Sequence, residues 1–246
     1  MEKLNKVLFV PDSHHPYVDK KAWSLMLLAA KKFKPDTVVV QGDFADFYAV
    51  SSHSKDPRRT QSLQDEVDAV NVALDQLDGL KAKKKIFVSG NHEDRLERYL
   101  KDKAPELFGV FSVKTLFKLR ERDWIYVPYK SDIRLGKLYV THDCGNAGRF
   151  AISKALDTFQ HNVTIGHTHR MSYQVEGNAK GEAHVGASFG WLGDTRLTDY
   201  MHKVKANRDW ALGFGLGYLR SDGTMYLVPV PIVNYTCVIE GELVKL

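Results

Sequence analysis

Short apolar runs alternate with longer amphipathic stretches along most of the chain. The runs are rich in β-branched residues and predict strands at residues 7–10, 37–40, 86–88, 138–140 and 162–165. Between them, apolar residues recur at helical spacing and predict helices at residues 20–34, 63–77 and 149–159, and a charged helix is expected at residues 92–100. Because strand and helix alternate through the first hundred residues, we expect right-handed crossovers and a largely parallel sheet.

The C-terminal part of the chain has a different pattern. From Gly213 onward, the sequence predicts antiparallel strands at residues 218–220, 225–230 and 232–238. Pro229 and Pro231 indicate an edge or a bend there. No internal repeat, low-complexity segment or linker divides the sequence. We therefore expect one domain over residues 1–246, with an α/β fold of two facing mixed β-sheets flanked by helices.

Side chains that bind metals follow each of the five predicted strands. The five segments are Asp12-Ser13-His14, Gly42-Asp43, Gly90-Asn91-His92-Glu93, Thr141-His142-Asp143 and Gly166-His167-Thr168-His169. Side chains at the carboxyl ends of parallel strands converge on one crevice of an open sheet. A cluster of Asp, Asn and His in such a crevice can hold divalent metal ions. The pattern therefore predicts an enzyme with a metal centre.

These five segments, in this order, resemble the signature of the calcineurin-like metallophosphoesterases: D-x-H, G-D, G-N-H-[DE], a lone His and G-H-x-H. The loops resemble those of the small stand-alone members that phages often encode. The resemblance implies that family's sandwich of two sheets. It also implies two metal positions, the first formed by Asp12, His14, Asp43 and His169 and the second by Asp43, Asn91, His142 and His167.

The resemblance also implies a mechanism. Asp43 would bridge two cations, and a hydroxide held between them would attack phosphorus in line. His92 would protonate the leaving oxygen, and either Glu93 or Asp94 could orient its imidazole. Mixed His and carboxylate ligands suit Mn, Fe, Zn, Co or Ni better than Mg or Ca, and Mn²⁺ is our default.

Several other residues are candidates for substrate contact. Arg95, Arg149 and His53 could reach a phosphate, and Lys55, Arg58 and Arg59 share a polar loop with His53. Each has an alternative: Arg95 could pair with a nearby acid, and the loop could be solvated. Trp191 and Tyr200 could stack a nucleobase, although most tryptophans belong to the core.

Composition narrows the class of protein. The 246 residues carry a formal net charge of +5, which is compatible with an anionic substrate, but we find no basic stripe of the kind that dedicated nucleic-acid binders carry. Two cysteines without paired spacing argue against a disulfide framework or a zinc knot. No signal peptide or apolar run of membrane-spanning length is present, so we expect a cytoplasmic protein without a membrane partner.

The sequence favours a phosphomonoesterase that acts on nucleoside or deoxynucleoside monophosphates. The alternatives are a phosphodiesterase or nuclease acting on DNA or RNA, a phosphoprotein phosphatase, and a metal-bearing scaffold with little catalysis. Phe47 follows Asp46 where phosphoprotein phosphatases of the family carry arginine, which argues against that alternative. No insertion large enough for a cap interrupts the motifs. The sequence leaves the natural substrate and the oligomeric state open.

Overall fold

The computed structural model describes residues 2–57, 59–177, 179–197 and 209–246. The helices are α1 (Lys20–Phe33), α2 (Leu63–Asp78), α3 (Glu93–Lys103), α4 (Val113–Leu116) and α5 (Ala151–Phe159). The strands are β1 (Asn5–Val10), β2 (Thr37–Val40), β3 (Lys84–Val88), β4 (Ile125–Val127), β5 (Asp132–Leu135), β6 (Leu138–Thr141), β7 (Asn162–Thr164), β8 (Met171–Gly177), β9 (Ala183–Phe189), β10 (Gly213–Leu219), β11 (Met225–Pro231), β12 (Thr236–Ile239) and β13 (Glu242–Lys245).

Two mixed sheets and one small ribbon form the fold. The larger sheet has the order β11-β10-β1-β2-β3-β4, in which β1 to β4 are parallel and β10 and β11 are antiparallel to their neighbours. The second sheet has the order β5-β6-β7-β9-β8, with β6, β7 and β9 parallel. Strands β12 and β13 pair with each other as a two-stranded ribbon. The prediction of an α/β fold with two facing mixed sheets is confirmed.

The core consists of layers on both faces of the larger sheet. In β1, Val7 and Phe9 pack toward the second sheet, while Leu8 and Val10 pack toward the helices, and all four are fully buried. Such burial on both faces explains why the central strands have continuous apolar runs rather than alternating ones. The second sheet has a further apolar layer outside it, under α5. Because the layer between the sheets draws residues from both halves of the chain, the two halves pack as facing sheets.

Side chains at the start of α1 and α2 satisfy the free amides there. The Asp19 carboxylate accepts hydrogen bonds from the backbone N–H groups of Lys21 and Ala22, both at 3.0 Å. Ser62 and Asp65 form the predicted reciprocal cap of α2, at 3.2 Å and 2.8 Å. Both helices therefore begin where local sequence favours it.

Two predicted elements have different boundaries in the structure. The predicted strand over residues 232–238 is wrong at its start: Asn234 and Tyr235 have φ of 50° and 54°, so the chain turns before β12 begins. The helix predicted at residues 149–159 begins only at Ala151. Pro229 and Pro231 lie in β11, which is an edge strand as expected. Among the described residues, no helix is both long and apolar enough to cross a membrane.

Candidate metal centre

The predicted ligand side chains meet in one crevice. They follow β1, β2, β3, β6 and β7, whose carboxyl ends point to the same side of the molecule. One group, Asp12, His14, Asp43 and His169, offers ligand atoms that all lie within 4.8 Å of one another. Asp43, His142 and His167 form a second such group. Asp43 belongs to both groups, which is the arrangement that a bridging carboxylate requires.

The first group has a donor set that fits a divalent cation. Nε2 of His14 lies 3.0 Å from Nε2 of His169, which lies 3.1 Å from Oδ2 of Asp12. All three residues are buried. Two imidazole nitrogens and a carboxylate oxygen crowded into such a small volume suit a borderline divalent metal.

The second group includes Asn91 as a neighbour. Nε2 of His142 lies 3.3 Å from Oδ2 of Asp43 and 3.1 Å from Oδ1 of Asn91. Nδ1 of His142 is 2.8 Å from the carbonyl oxygen of Gln41, so it must be the protonated nitrogen and donate to that oxygen. This bond directs Nε2 toward the oxygen atoms, as is usual for imidazole ligands of metals. The residues of both groups therefore fit divalent metal ions.

Four of the candidate ligands have left-handed backbone dihedrals. The φ angles are 50° at His14, 47° at Asp43, 62° at His167 and 54° at His169. Non-glycine residues seldom adopt such angles, and each costs of order 1–3 kcal/mol. The fold therefore holds these side chains in place against local backbone preference, which is common at functional sites.

Glycines of two motifs allow the chains to approach closely. A Cβ added to Gly90 would lie 2.2 Å from Oδ1 of Asp43, and one added to Gly42 would lie 2.4 Å from Nδ1 of His142. Gly42 also has a φ of 93°. Any side chain at either position would displace a candidate ligand, so these glycines are required by the packing of the crevice.

Glu93 fixes the backbone around Asp43. Its carboxylate accepts hydrogen bonds from the N–H groups of Asp43 at 2.9 Å, Ala45 at 2.8 Å and Gly90 at 2.7 Å. Burial and the neighbouring Asp43 carboxylate raise the pKa of Glu93 to about 7, although these amides act in the opposite direction. Glu93 therefore joins the turns after β2 and β3.

Charges in the crevice compensate one another. Burial by itself would raise the pKa of Asp43, but the imidazoles of His142 and His92 hold it well below its usual range. Burial by itself would lower the pKa of His142, but the carboxylates of Asp43 and Asp12 outweigh it and raise that pKa to about 10. A cation binding at Nε2 of His142 would have to displace a proton.

Asp46, rather than Glu93 or Asp94, orients His92. Nδ1 of His92 donates to the carbonyl oxygen of Asp46 at 2.9 Å, and Nε2 faces Oδ2 of Asp43 at 3.8 Å. Burial acts to lower the pKa of His92, but the carboxylates of Asp43 and Asp46 outweigh it and raise that pKa. The predicted roles of Glu93 and Asp94 were wrong, because Glu93 is occupied by backbone amides and Asp94 by Arg98.

Asp46 also contacts His14. Its Oδ2 lies 3.3 Å from Nδ1 of His14 and 3.5 Å from Nδ1 of His92, and these three side chains could themselves hold a cation. We interpret Asp46 as an acid that holds the two imidazoles by charge, since Nδ1 of His14 has no hydrogen bond among the described residues and Nε2 of His14 faces the first group. The spacing of Asp46, three residues after Asp43, was the only sequence signal for this residue.

Residues 5–184 match the family model described as calcineurin-like phosphoesterase. The chain belongs to this family. All the candidate ligands and His92 lie inside the matched range. A comparison with curated protein sequences found no match.

Solved structures with a similar chain path include two forms of vacuolar protein sorting 29. The protein from Cryptosporidium parvum is 15% identical, covers 98% of this chain and 95% of its own, and has a TM-score of 0.48. A single mutant from Entamoeba histolytica is 14% identical, covers 98% and 99%, and has a TM-score of 0.49. Yfce, a phosphoesterase from E. coli, is 15% identical, covers 91% and 98%, and has a TM-score of 0.41.

In this family member, the three predicted substrate contacts lie beside two separate clefts. Arg95 and His53 line a cleft of about 180 Å³. Arg149 is exposed and lines another cleft of about 330 Å³, together with Thr168 and Arg170. Arg95 does pair with an acid, as its alternative reading predicted, but the acid is Asp46, at 3.3 Å. Phosphate contact by these residues stays a prediction.

Two aromatic residues near the crevice differ from expectation. Trp191 is only 1% exposed and stacks on the His169 ring at 4.8 Å, so the prediction that it stacks a nucleobase is wrong. Trp210 is half-buried, and its ring is nearly perpendicular to that of His169, with 4.3 Å between the ring centres. Nothing in the sequence pattern indicated a role for Trp210 at this site. Tyr200 lies outside the described residues.

In the polar loop that contains His53, the Arg59 side chain packs against two tyrosine rings. The Arg59 guanidinium lies 4.2 Å from the ring centre of Tyr17 and 4.5 Å from that of Tyr48. Arg58 lies outside the described residues. Arg59 therefore has a packing role, which favours the structural reading of this part of the loop.

Proposed function

We propose that this chain is a two-metal phosphomonoesterase that acts on nucleoside or deoxynucleoside monophosphates. The observation that carries the proposal is the sharing of Asp43 between two groups of metal-binding side chains, with His92 beside it. Asp12, His14, Asp43 and His169 would hold one ion, and Asp43, Asn91, His142 and His167 the other. Mn²⁺ is the proposed metal, with Fe, Zn, Co or Ni as alternatives.

Bound divalent ions would supply a nucleophile at neutral pH and neutralise charge on the phosphoryl oxygens. The protein's own side chains would supply the proton that the leaving oxygen needs. Nδ1 of His92 is held by the carbonyl oxygen of Asp46, so Nε2 faces the crevice and can give a proton to the leaving oxygen. The carboxylates that raise the pKa of His92 favour the protonated form that this step needs.

A nucleotide is the proposed substrate because the crevice is flanked by cationic and aromatic groups. Arg95 and Arg149 line the two clefts, and Trp210 is partly exposed beside His169. A phosphodiesterase or nuclease is the second candidate, since the cleft beside His92 has room for a longer leaving group.

A single domain and a cytoplasmic location stay predictions from the sequence.

The test is a comparison of phosphate release from different esters. Purified protein would be stripped of metal, reloaded with Mn²⁺, and assayed with deoxynucleoside monophosphates, a sugar phosphate, a phosphopeptide and a chromogenic diester at equal concentrations. We expect no turnover before reloading and the highest kcat/KM with a nucleoside monophosphate.

Three results would contradict the proposal. Full activity after exhaustive chelation, with no metal found by elemental analysis, would disprove the two-metal assignment. A kcat/KM for the diester or the phosphopeptide that exceeds every mononucleotide by tenfold would replace the nucleotidase with the corresponding alternative. Metal binding without turnover of any ester would favour the scaffold.

A further inference from the structure

The cleft of about 180 Å³ beside His92 is a distinct feature of this molecule. Helix α3 forms one wall and the loop after the 3₁₀ turn at Tyr48–Val50 forms the other. Its polar and aromatic lining includes His53, Arg95, Arg98, Tyr99, Asp102 and Lys103. None of these six residues belongs to the groups of candidate metal ligands.

Arg95 connects this cleft to the proposed acid. Nη2 of its guanidinium lies 3.0 Å from Nε2 of His92, and its Nη1 donates to the carbonyl oxygen of Asp46 at 2.9 Å. The Arg95 side chain is 12% exposed, and it lines the cleft. Nε2 of His92, which would protonate the leaving oxygen, therefore lies where the cleft begins. The leaving alcohol must leave through space next to that nitrogen.

The cleft of about 330 Å³ is not connected to His92 through Arg95. It is lined by Arg149, Thr168 and Arg170, and neither His92 nor Arg95 lines it. The Arg170 guanidinium there is occupied by Asp209 and by the carbonyl oxygens of Ala147 and Thr168. Geometry therefore assigns the leaving-group side of the site to the cleft along α3.

Charge indicates what the cleft accepts. Arg95, Arg98 and Lys103 bring positive charge to its lining, against the single carboxylate of Asp102. Asp46 and Asp94 offset part of the charge of Arg95 and Arg98 from outside the lining. These three cations and three carboxylates balance formally, so the cationic groups that remain accessible decide what the cleft accepts. Lys103 is exposed and has no ion pair among the described residues, and the Arg98 side chain is 55% exposed, so both can face an anionic group. The Tyr99 side chain, 42% exposed, adds a ring against which a sugar or a base can pack.

We propose that this cleft is a leaving-group subsite for an alcohol that itself carries a phosphate. The substrate class is a 5′-phosphate monoester on a nucleoside whose 3′ oxygen is also phosphorylated. That second phosphate would lie near Arg98 and Lys103, and the sugar or the base near Tyr99. This inference rests on the proposed phosphomonoesterase function. The same chemistry occurs in a free nucleoside 3′,5′-bisphosphate and at the 5′-phosphorylated end of a nucleic acid strand.

The experiment compares three substrates that share one scissile bond. They are a deoxynucleoside 5′-monophosphate, the corresponding 3′,5′-bisphosphate and a 5′-phosphorylated oligodeoxynucleotide, assayed by phosphate release from the Mn²⁺-loaded protein. We expect kcat/KM for the bisphosphate to exceed that of the monophosphate by about tenfold, since each partly exposed ion pair contributes up to about fivefold. A still higher value for the oligodeoxynucleotide would assign the strand end, and a lower one the free nucleotide; either supports the subsite.

The double variant Arg98→Gln with Lys103→Gln tests the assignment of residues. We expect it to reduce the preference for the second phosphate to less than about twofold, and added salt should reduce the preference of the parent protein. Lys101→Gln is the matched control, because Lys101 lies on the same helix, pairs with Glu97 and does not line the cleft. The proposal is overturned if the parent protein shows no preference, or if the double variant and the control behave alike.

Binding separates failure of the subsite from failure of the proposed function. Calorimetry would compare a nucleoside 3′-monophosphate, which is the expected leaving product, with the unphosphorylated nucleoside on metal-free protein. We expect the phosphorylated form to bind at least about threefold more tightly, and the double variant to lose the difference. Such binding without any turnover would disprove the phosphoesterase and keep the subsite. Turnover of esters without a binding difference would keep the phosphoesterase and disprove the subsite.

Discussion

The core between the sheets and the crevice beside it are built on the same strands, but the core contains apolar side chains and the crevice polar ones. Phe9 and Val39 are fully buried apolar side chains in regular strands. A few residues after these two strands end, His14 and Asp43 are buried polar groups with left-handed backbone dihedrals. The four candidate ligands with left-handed dihedrals, at roughly 1–3 kcal/mol each, approach the net stability of a domain, which is about 5–15 kcal/mol. The core therefore provides the stability that the crevice requires.

This contrast predicts that substitutions in the two regions separate activity from stability. Changes in the crevice should mainly affect metal content and rate, because side chains there are held for chemistry. Changes in the core should mainly affect the free energy of unfolding, because side chains there contribute buried apolar area. The following four experiments test the contrast.

The largest effect is expected from Asp43→Asn. Because this carboxylate belongs to both ligand groups, its loss should weaken both metal positions and lower kcat/KM by more than about a hundredfold. Steady-state kinetics and elemental analysis of the purified variant would measure this. Asp157→Asn, on the exposed face of α5, is the control and should match the parent protein. Retention of two metals and normal activity in Asp43→Asn would remove the basis of the contrast.

His92→Ala should separate chemistry from ligation within the crevice. We expect kcat to fall by about 10²–10⁴ while metal content stays near that of the parent protein, since His92 is the proposed acid rather than a ligand. The loss should shrink for esters with acidic leaving groups, which need little protonation. His161→Ala serves as the control, because the His161 ring packs against Tyr139 and His184, neither of which is a candidate ligand. An equal loss for all leaving groups would instead indicate a positioning role.

In the core, Phe9→Ala should lower the free energy of unfolding by about 3–5 kcal/mol, because it removes a fully buried ring that packs 5.2 Å from Phe189. Denaturant unfolding would measure it. Below its melting transition, the variant should keep its two metals. Tyr226→Ala, on the exposed side of β11, should change stability by less than about 0.5 kcal/mol. Comparable losses in both variants would show that the core between the sheets is not the stabilising layer.

The smallest effect concerns Glu66, a buried acid at the flank of the crevice. Its Oε1 accepts the N–H of Tyr48 at 2.9 Å, whereas Oε2 has no hydrogen-bond partner among the described residues. Burial, then the charge of Asp46, raises the pKa of Glu66 to about 7. The folded protein thus holds this proton more tightly than the unfolded chain, and stability falls as pH rises from about 4.5 to about 7.

We therefore expect Glu66→Gln to remove this contribution to the pH dependence. Relative to the parent protein, the variant should gain up to about 3 kcal/mol between pH 4.5 and pH 8, since one pKa unit corresponds to about 1.4 kcal/mol. Denaturant unfolding at the two pH values measures the difference. Glu106→Gln, at an exposed position, should leave the pH dependence unchanged. A parallel pH dependence in Glu66→Gln and the parent protein would contradict the prediction.

Much of the fold could be predicted because its signals are local. The strand at residues 37–40 and the helix at residues 63–77 agree closely with β2 and α2, since apolar periodicity and capping are properties of neighbouring residues. The start of β12 could not be predicted. It depends on two consecutive left-handed residues, Asn234 and Tyr235; Asn adopts that conformation readily, but nothing in the residue type of Tyr235 indicates it.

The candidate site also has some features that the sequence predicts and others that it does not. The types and order of its polar residues after strands, with the family resemblance that they carry, were sufficient to predict which side chains meet in the crevice. Convergence of parallel strand ends explains this only within each sheet, because β1, β2 and β3 lie in one sheet and β6 and β7 in the other. The partner of His92 could not be read from the sequence, because His92 and Asp46 meet across 46 positions of the chain. The burial of Trp191 behind His169 likewise depends on how the second sheet packs.

The sequence by itself thus determined the family, the layered α/β architecture and the candidate ligand set. Each of these follows from local periodicity or from motifs a few residues long. Only the tertiary structure decided which acid orients His92, which tryptophan is partly exposed beside the crevice, and that Arg95 and His53 border one cleft. The physical reason is that these features arise from contacts between distant segments, whose geometry is set by packing and not by neighbouring residues.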